Sequence, residues 1–226
     1  MLRLLLSTLF ASVCWCLSTA VLAVPATEIA IQVQTPLHAI YEARQFAPLW
    51  LNDSLPSSRS AQAIEIMSRA AEHGLNAVDY QLPALQQILD SIKQESSDQQ
   101  QAAFDLAMSR TVARFVEDIS VGRVKPRDIG LAIDTSARQA HLQQHLQQVL
   151  TAEDLPAAIA SVQPVIPPYA ALRSQLAHYR ALAEQYPQAP TLPPLTGKKL
   201  VAGESWVGTP VLANWLIVLG YLPAGT

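Results

Sequence analysis

Thiol chemistry is almost missing from this 226-residue chain: its two cysteines, Cys14 and Cys16, both fall in the N-terminal stretch. Without that stretch the chain can form no disulfide, and it offers neither a thiolate metal ligand nor a cysteine nucleophile. Charge is sparse too, at 15% of residues with a formal net charge of -3. Such a chain has no bulk attraction for nucleic acid or for an anionic membrane. Glycine is scarce, at 8 residues, and Gly197-Lys198-Lys199 lacks the upstream glycine and the following Ser or Thr of a phosphate loop. No GxSxG or SxxK pattern supplies a serine nucleophile. Runs of alternating strand character and repeats of fixed period are also wanting.

What is present begins with an address. Residues 1–23 place one basic residue, Arg3, before the run LLLSTLFASVCWCLSTAVLA, and small residues follow. This is the pattern of a secretory signal peptide, with Val21-Leu22-Ala23 as the good cleavage site and Val24-Pro25-Ala26 as a weaker one. The competing reading is a retained membrane anchor, since the run is nearly long enough to span; the small-residue exit favours cleavage. Neither cysteine follows a small residue as a lipid-acceptor cysteine would. The expectation is therefore a processed chain of charge -4 with no stable membrane anchor.

The remainder reads as an all-α protein, an irregular helical bundle of about seven to eight helices over residues 24–187. Thr35 and Pro36 open a short helix carrying Leu37, Ile40 and Tyr41, with the threonine oxygen as cap. Pro48 forces Phe46 to Trp50 into an extended turn, and Asn52 to Ser60 reads as a loop. Ser60 to His73 reads as one helix, with Ile64, Met67 and Ala71 inward and Gly74 as its left-handed end. Pro83 starts a helix bearing Leu85, Ile88, Leu89 and Ile92, and Ser96 to Gln101 reads as a polar bend between antiparallel helices. Phe104, Met108, Val112, Phe115 and Ile119 form the longest apolar stripe, stopped at Gly122. Asp134 or Thr135 caps a helix with Leu142, Leu146, Val149 and Leu150. Asp154 caps another with Leu155, Ile159 and Val162.

Val165 to Pro187 places Tyr169, Leu172, Leu176, Tyr179 and Ala183 on one face, which predicts an amphipathic helix docked on a core. Tyr169 and Tyr179 are expected to pack, and Arg173 to make a surface contact. Beyond lies a proline-rich linker with two lysines. Thr209 and Pro210 then open a helix bearing Val211, Leu212, Trp215, Leu216 and Leu219. One helix with so apolar a face cannot bury itself.

Candidate chemistry is thin. His141 and His145 stand four apart on one helix, but a zinc protease needs Glu after the first, where Leu142 stands. Two ligands fall short of the three or four that zinc takes, so both are read as solvated. Glu117 and Asp118 are adjacent, diverge on a helix and read as a solvated edge. Arg123, Lys125 and Arg127 cluster around Gly122. They read either as a contact for an anion or carboxylate, or as cations favoured near a helix C-terminus; the second is preferred. Trp50, Trp206 and Trp215 could stack on sugars, but burial is the commoner fate. No catalytic, cofactor-binding or metal-ligating residue emerges.

Four phrases in order carry a resemblance: IYEARQFAPLW (Ile40 to Trp50), AAEHGLNAVDY (Ala70 to Tyr80), FVEDISVGRVKP (Phe115 to Pro126) and PVIPPYAALRSQLAHYRALA (Pro164 to Ala183). The chain resembles the N-terminal scaffold region of the large murein L,D-transpeptidases of Gram-negative bacteria over roughly Pro36 to Pro187. The stretch LVAGESWVGTPVLANWLIVLGYL is similar to the beginning of the peptidoglycan-binding-like module that follows that scaffold, so residues 188–226 are read as linker and first helix of a truncated module. The resemblance implies a periplasmic protein of the pathway that forms 3→3 cross-links in peptidoglycan, with peptidoglycan or cell-wall enzymes as partners. It implies no cofactor. In that family a cysteine in an SHGC-type motif, assisted by a histidine, performs the acyl transfer. His73-Gly74 is followed here by Leu75, so no catalytic residue carries over. Two expectations follow: a truncated, inactive family member, or a stand-alone helical adaptor for cell-wall proteins.

Overall fold

The computed structural model describes residues 24–34, 36–93, 95–195 and 197–225. The predicted signal peptide and the Thr35 cap lie outside the described residues. The architecture is all-α apart from one two-residue hairpin, with nine α-helices among the described residues.

The organising element is α5, Asp98–Glu117. Its start is a capping box: the Ser97 hydroxyl accepts from the Gln100 N–H at 3.3 Å, and the Gln100 side-chain oxygen accepts from the Ser97 N–H at 2.9 Å. The stretch read as a bend is therefore largely the first turn of this helix. Phe104, Met108, Val112, Phe115 and Ile119 are all buried, as the stripe predicted. Ala102, Leu106 and Val116, off that stripe, are buried as well, so α5 is wrapped on more than one side. Each large side chain taken out of water there contributes about 1.5–3 kcal/mol before entropy costs.

Helix α1, Val24–Gln32, packs along α5 through Ala26, Ile29 and Val33. Helix α2 is short, His38–Glu42, with Leu37 rather than a side-chain cap at its start. Gln45 and Phe46 then take positive φ and turn the chain toward Trp50. The segment read as a loop contains a hairpin, β1 Leu51–Asn52 and β2 Leu55–Pro56, paired antiparallel. Asp53 and Ser54 both adopt positive φ, the requirement of the tight turn that suits strand twist.

Helix α3 runs Ser58–Ser68 and stops earlier than its apolar pattern suggested. Arg69 leaves the helical region, and a 3-10 turn, Ala70–His73, completes the stretch before Gly74 at φ +75°. The tighter winding shifts the register, so Ala70 is buried where Ala71 was expected to be. A second 3-10 turn, Ala77–Tyr80, is capped by the Asn76 side chain accepting from Val78 N–H. Helix α4 follows at Leu82–Ser91.

Beyond α5 comes a π turn, Asp118–Gly122, closed by Gly122 at φ +107°. Helix α6, Ser136–Thr151, buries Leu146, Val149 and Leu150; Asp134 accepts from the Ser136 N–H at 2.9 Å while Thr135 makes no side-chain cap bond. Helix α7, Leu155–Ser161, is capped by Asp154 accepting from Ala157 N–H at 2.9 Å, as expected.

Helix α8, Pro167–Gln185, forms where predicted but is not docked on a core, for none of its residues is fully buried. Leu172 is 66% exposed and Tyr179 41% exposed. The helix touches the body mainly at the 3-10 turn Ala70–His73. Amphipathic spacing shows that a face exists, not that a partner covers it. Helix α9, Thr209–Val218, ends near Gly220 at φ +78°. Its side chains are mostly half-buried: Tyr186 meets Trp215 edge-on at 5.7 Å, and the Tyr179 and Tyr221 hydroxyls are 2.8 Å apart. No described helix is long and apolar enough to cross a membrane.

Candidate functional site

The densest polar constellation is inside the core, and its role is structural. Asp105 accepts from the Tyr41 hydroxyl at 2.5 Å and from the main-chain N–H groups of Leu49 and Trp50 at 2.9 and 2.7 Å. Ser109 bonds the same Tyr41 hydroxyl at 2.6 Å and accepts from the Trp50 indole at 2.7 Å. Arg59 lies over the Trp50 ring and donates to the Leu49, Val149 and Leu150 carbonyls. Burial pushes the Asp105 carboxyl up to about 6, against the pull of the bonds from Tyr41, Leu49 and Trp50. Burial and the adjacent carboxylate raise Tyr41 as well. Tyr41, Trp50, Asp105 and Ser109 are fully shielded from solvent, so no ligand reaches them. Trp50 is thus a core residue and not a sugar platform.

The candidate site is a groove of about 710 Å³ where five pieces of chain converge. The π turn after α5 forms its floor with Ile119, Ser120 and Val121. His73 and Leu75 flank one side, and Arg138 and His145 of α6 another. The segment after α7, Gln163 to Ile166, and Tyr169 of α8 complete the wall. π turns inside helices recur at functional sites because they break the regular hydrogen-bond ladder. The groove also has the size and the mixture of apolar wall with a few polar groups typical of ligand pockets.

Its polar groups are mostly engaged. His73 Nδ1 and the Tyr169 hydroxyl are 2.8 Å apart with rings stacked. Desolvation first, then the Arg173 charge, lowers the His73 pKa. Asp118 accepts from the Tyr80 hydroxyl at 2.8 Å, so it is no solvated edge residue, whereas Glu117 is exposed. Ser120 donates to Val116 O, and Ser161 donates to Ala158 O while accepting from Gln148. Those hydroxyls are tied to the helix backbone rather than to a base. His145 is half-buried, with Nδ1 shielded and unpartnered. Desolvation and the neighbouring His141 lower its pKa. The two rings are 6.3 Å apart, and no group of three metal-ligating side chains occurs among the described residues.

The four cations singled out in the sequence are not brought together. Arg123 lines the groove and pairs with Asp79. Lys125 and Arg127 lie in a separate pocket of about 270 Å³ beside Asp128 and Asp134. Arg173 is half-exposed and already engaged: it pairs with Glu72 at 3.1 Å and donates to the Gln163 side chain at 3.2 Å. It ties α8 to the body at the surface. Arg180 adds a bond to the Ala71 carbonyl. The residues that sequence reasoning missed are His73, Arg138 and His145 as groove walls. Each sits on a different stretch of chain or a different turn of helix, and no local spacing announces their convergence.

A family model described as the Scaffold domain matches residues 35–176. No curated protein and no solved structure matches significantly. The family match spans most of the helical body and includes every element around the groove up to the middle of α8. The chain belongs to the Scaffold domain family, the N-terminal scaffold of L,D-transpeptidases.

Proposed function

We propose that this chain is a non-catalytic scaffold of a periplasmic murein L,D-transpeptidase system, serving the formation of 3→3 cross-links in peptidoglycan. The family match carries the reading. Two observations support it: no cysteine follows Cys16, and the groove's two serine hydroxyls, Ser120 and Ser161, donate to main-chain carbonyls. A body whose chemistry is spent on internal ties acts by holding and positioning. Its partners in this reading are peptidoglycan or the enzymes that act on it, reached after export by the signal peptide.

The test is direct. Purified chain incubated with tetrapeptide muropeptides should yield no 3→3 dimers, and their appearance would end the non-catalytic assignment. The same preparation should co-sediment with purified sacculi or cross-link to a cell-wall enzyme in the periplasm. Neither happening would remove the cell-wall assignment.

A further inference from the structure

The groove between the body and α8 has features that the scaffold role does not use. Val165 is 94% exposed, Ile166 55% and Val124 61%, an aliphatic rim around the opening. The segment Gln163 to Ile166 is not helical, and Ile166 is extended at φ -122°, ψ 134°. Pro164 and Pro167 carry no N–H. Between them, the Val165 N–H and C=O and the Ile166 N–H make no main-chain hydrogen bond among the described residues. These main-chain groups are free to pair with another extended chain.

The charge around the opening is one-sided. Arg138 is exposed and forms no ion pair among the described residues. The one carboxylate lining the groove is Asp118, which Tyr80 already engages. His145 also lines the groove, with its Nδ1 shielded and unpartnered. An aliphatic wall, an open backbone edge and an unpaired guanidinium together select for an extended apolar chain bearing negative charge.

We propose that the groove between the π turn and the start of α8 receives an extended aliphatic peptide ending in a free carboxylate. Its backbone pairs with Val165, its side chains lie on Val124, Val165 and Ile166, and its carboxylate meets Arg138 with His145 alongside. The occupant also bridges the body and α8, which otherwise meet mainly through polar ties. This inference stands apart from the cell-wall assignment, since any peptide of that chemistry fits.

The ¹⁵N-labelled chain is titrated with acetyl-Val-Ala-Val-Ala as the free acid and as its carboxamide, and with decanoate. The free acid should give saturable shifts at Val121, Val124, Val165 and Ile166. The carboxamide should bind about tenfold more weakly, as should the free acid to Arg138→Gln. Arg138 is exposed, so that variant should keep its unfolding midpoint. Saturable shifts confined to other residues, or none at all, would overturn the proposal. Equal affinity of acid and carboxamide would remove the carboxylate contact. Decanoate binding as tightly as the peptide would remove the backbone pairing.

Discussion

The Tyr41 hydroxyl donates to the Asp105 carboxylate at 2.5 Å across 64 residues of chain. The same carboxylate takes the Leu49 and Trp50 N–H groups, so one side chain of α5 closes the turn ahead of the hairpin. Asp105→Ala leaves those two buried N–H groups without a partner, while Tyr41 keeps Ser109. The expected loss is about 3–5 kcal/mol. It should appear as a lower urea midpoint at unchanged slope. Tyr41→Phe removes one donor only, and should cost about 1–2 kcal/mol. A D105A protein as stable as its parent would show that the turn is held by packing alone.

The same carboxylate carries a pH signature. Burial raises it from 3.8 to about 6, so the folded chain holds this proton more tightly than the unfolded chain does. Stability from this group is therefore greatest below the unfolded value and is lost as pH rises through about 6. Exposed carboxylates elsewhere respond differently, so the useful quantity is the difference between the parent and Asp105→Asn. The parent should lose up to about 3 kcal/mol relative to the variant between acid and neutral pH. A difference that stays flat over that range would contradict the raised carboxyl.

How much of this is legible in the sequence differs from element to element. The α5 stripe is visible because five large apolar residues at helical spacing admit one burial pattern. The Asp154 cap and the Gly74 turn are visible because their chemistry is local. Asp105 is not, because it sits beside Phe104 with nothing local to mark it, and its partners come from 55 to 64 residues away. The docking of α8 escapes for a related reason: periodicity defines a face without naming its cover. Arg173 reads outward on its own helix although its partners, Glu72 and Gln163, lie on other elements. The groove depends on five separate pieces of chain meeting, which no single window contains. Helix α1 is easily overlooked although Ala26, Ile29 and Val33 carry the right spacing; the segment is short and directly follows the predicted leader.

The attachment of α8 should behave as a separable unit. Its ties to the body are the His73–Tyr169 contact, Arg173 with Glu72, Arg180 with the Ala71 carbonyl, and the Leu176 side chain against Gly74. Tyr169→Phe combined with Arg173→Ala should speed amide exchange across residues 167–185 by about tenfold, with the global unfolding midpoint nearly unchanged. Unchanged exchange, or a collapse of global stability, would show that α8 belongs to the cooperative core.

That attachment should also respond to acid. Desolvation and the Arg173 charge lower the His73 pKa, so folding disfavours its protonated form. The stabilising contribution is complete above the ordinary histidine value near 6.5 and is lost as pH falls below it. Protection factors across α8, with the intrinsic pH dependence of exchange divided out, should therefore fall between neutral and mildly acidic pH in the parent, and His73→Gln should flatten that response. The groups facing His73 are Tyr169, Arg173, Glu72 and Phe115. An identical acid response in the variant would contradict the assignment to His73.

On the expected leader reading, cleavage after Val21-Leu22-Ala23 leaves the whole of α1, Val24–Gln32, on the exported chain. Cleavage at the alternative site after Ala26 would cut into α1 and remove a side chain that is 2% exposed. The exported protein should therefore begin at Val24, which N-terminal sequencing of a periplasmic fraction reads directly. Ile29 is fully buried against α5, and Ile29→Ala should cost about 2–4 kcal/mol through the cavity it leaves. A protein starting at Thr27, yet melting at the same temperature as one starting at Val24, would show that the first turn of α1 adds nothing to the core.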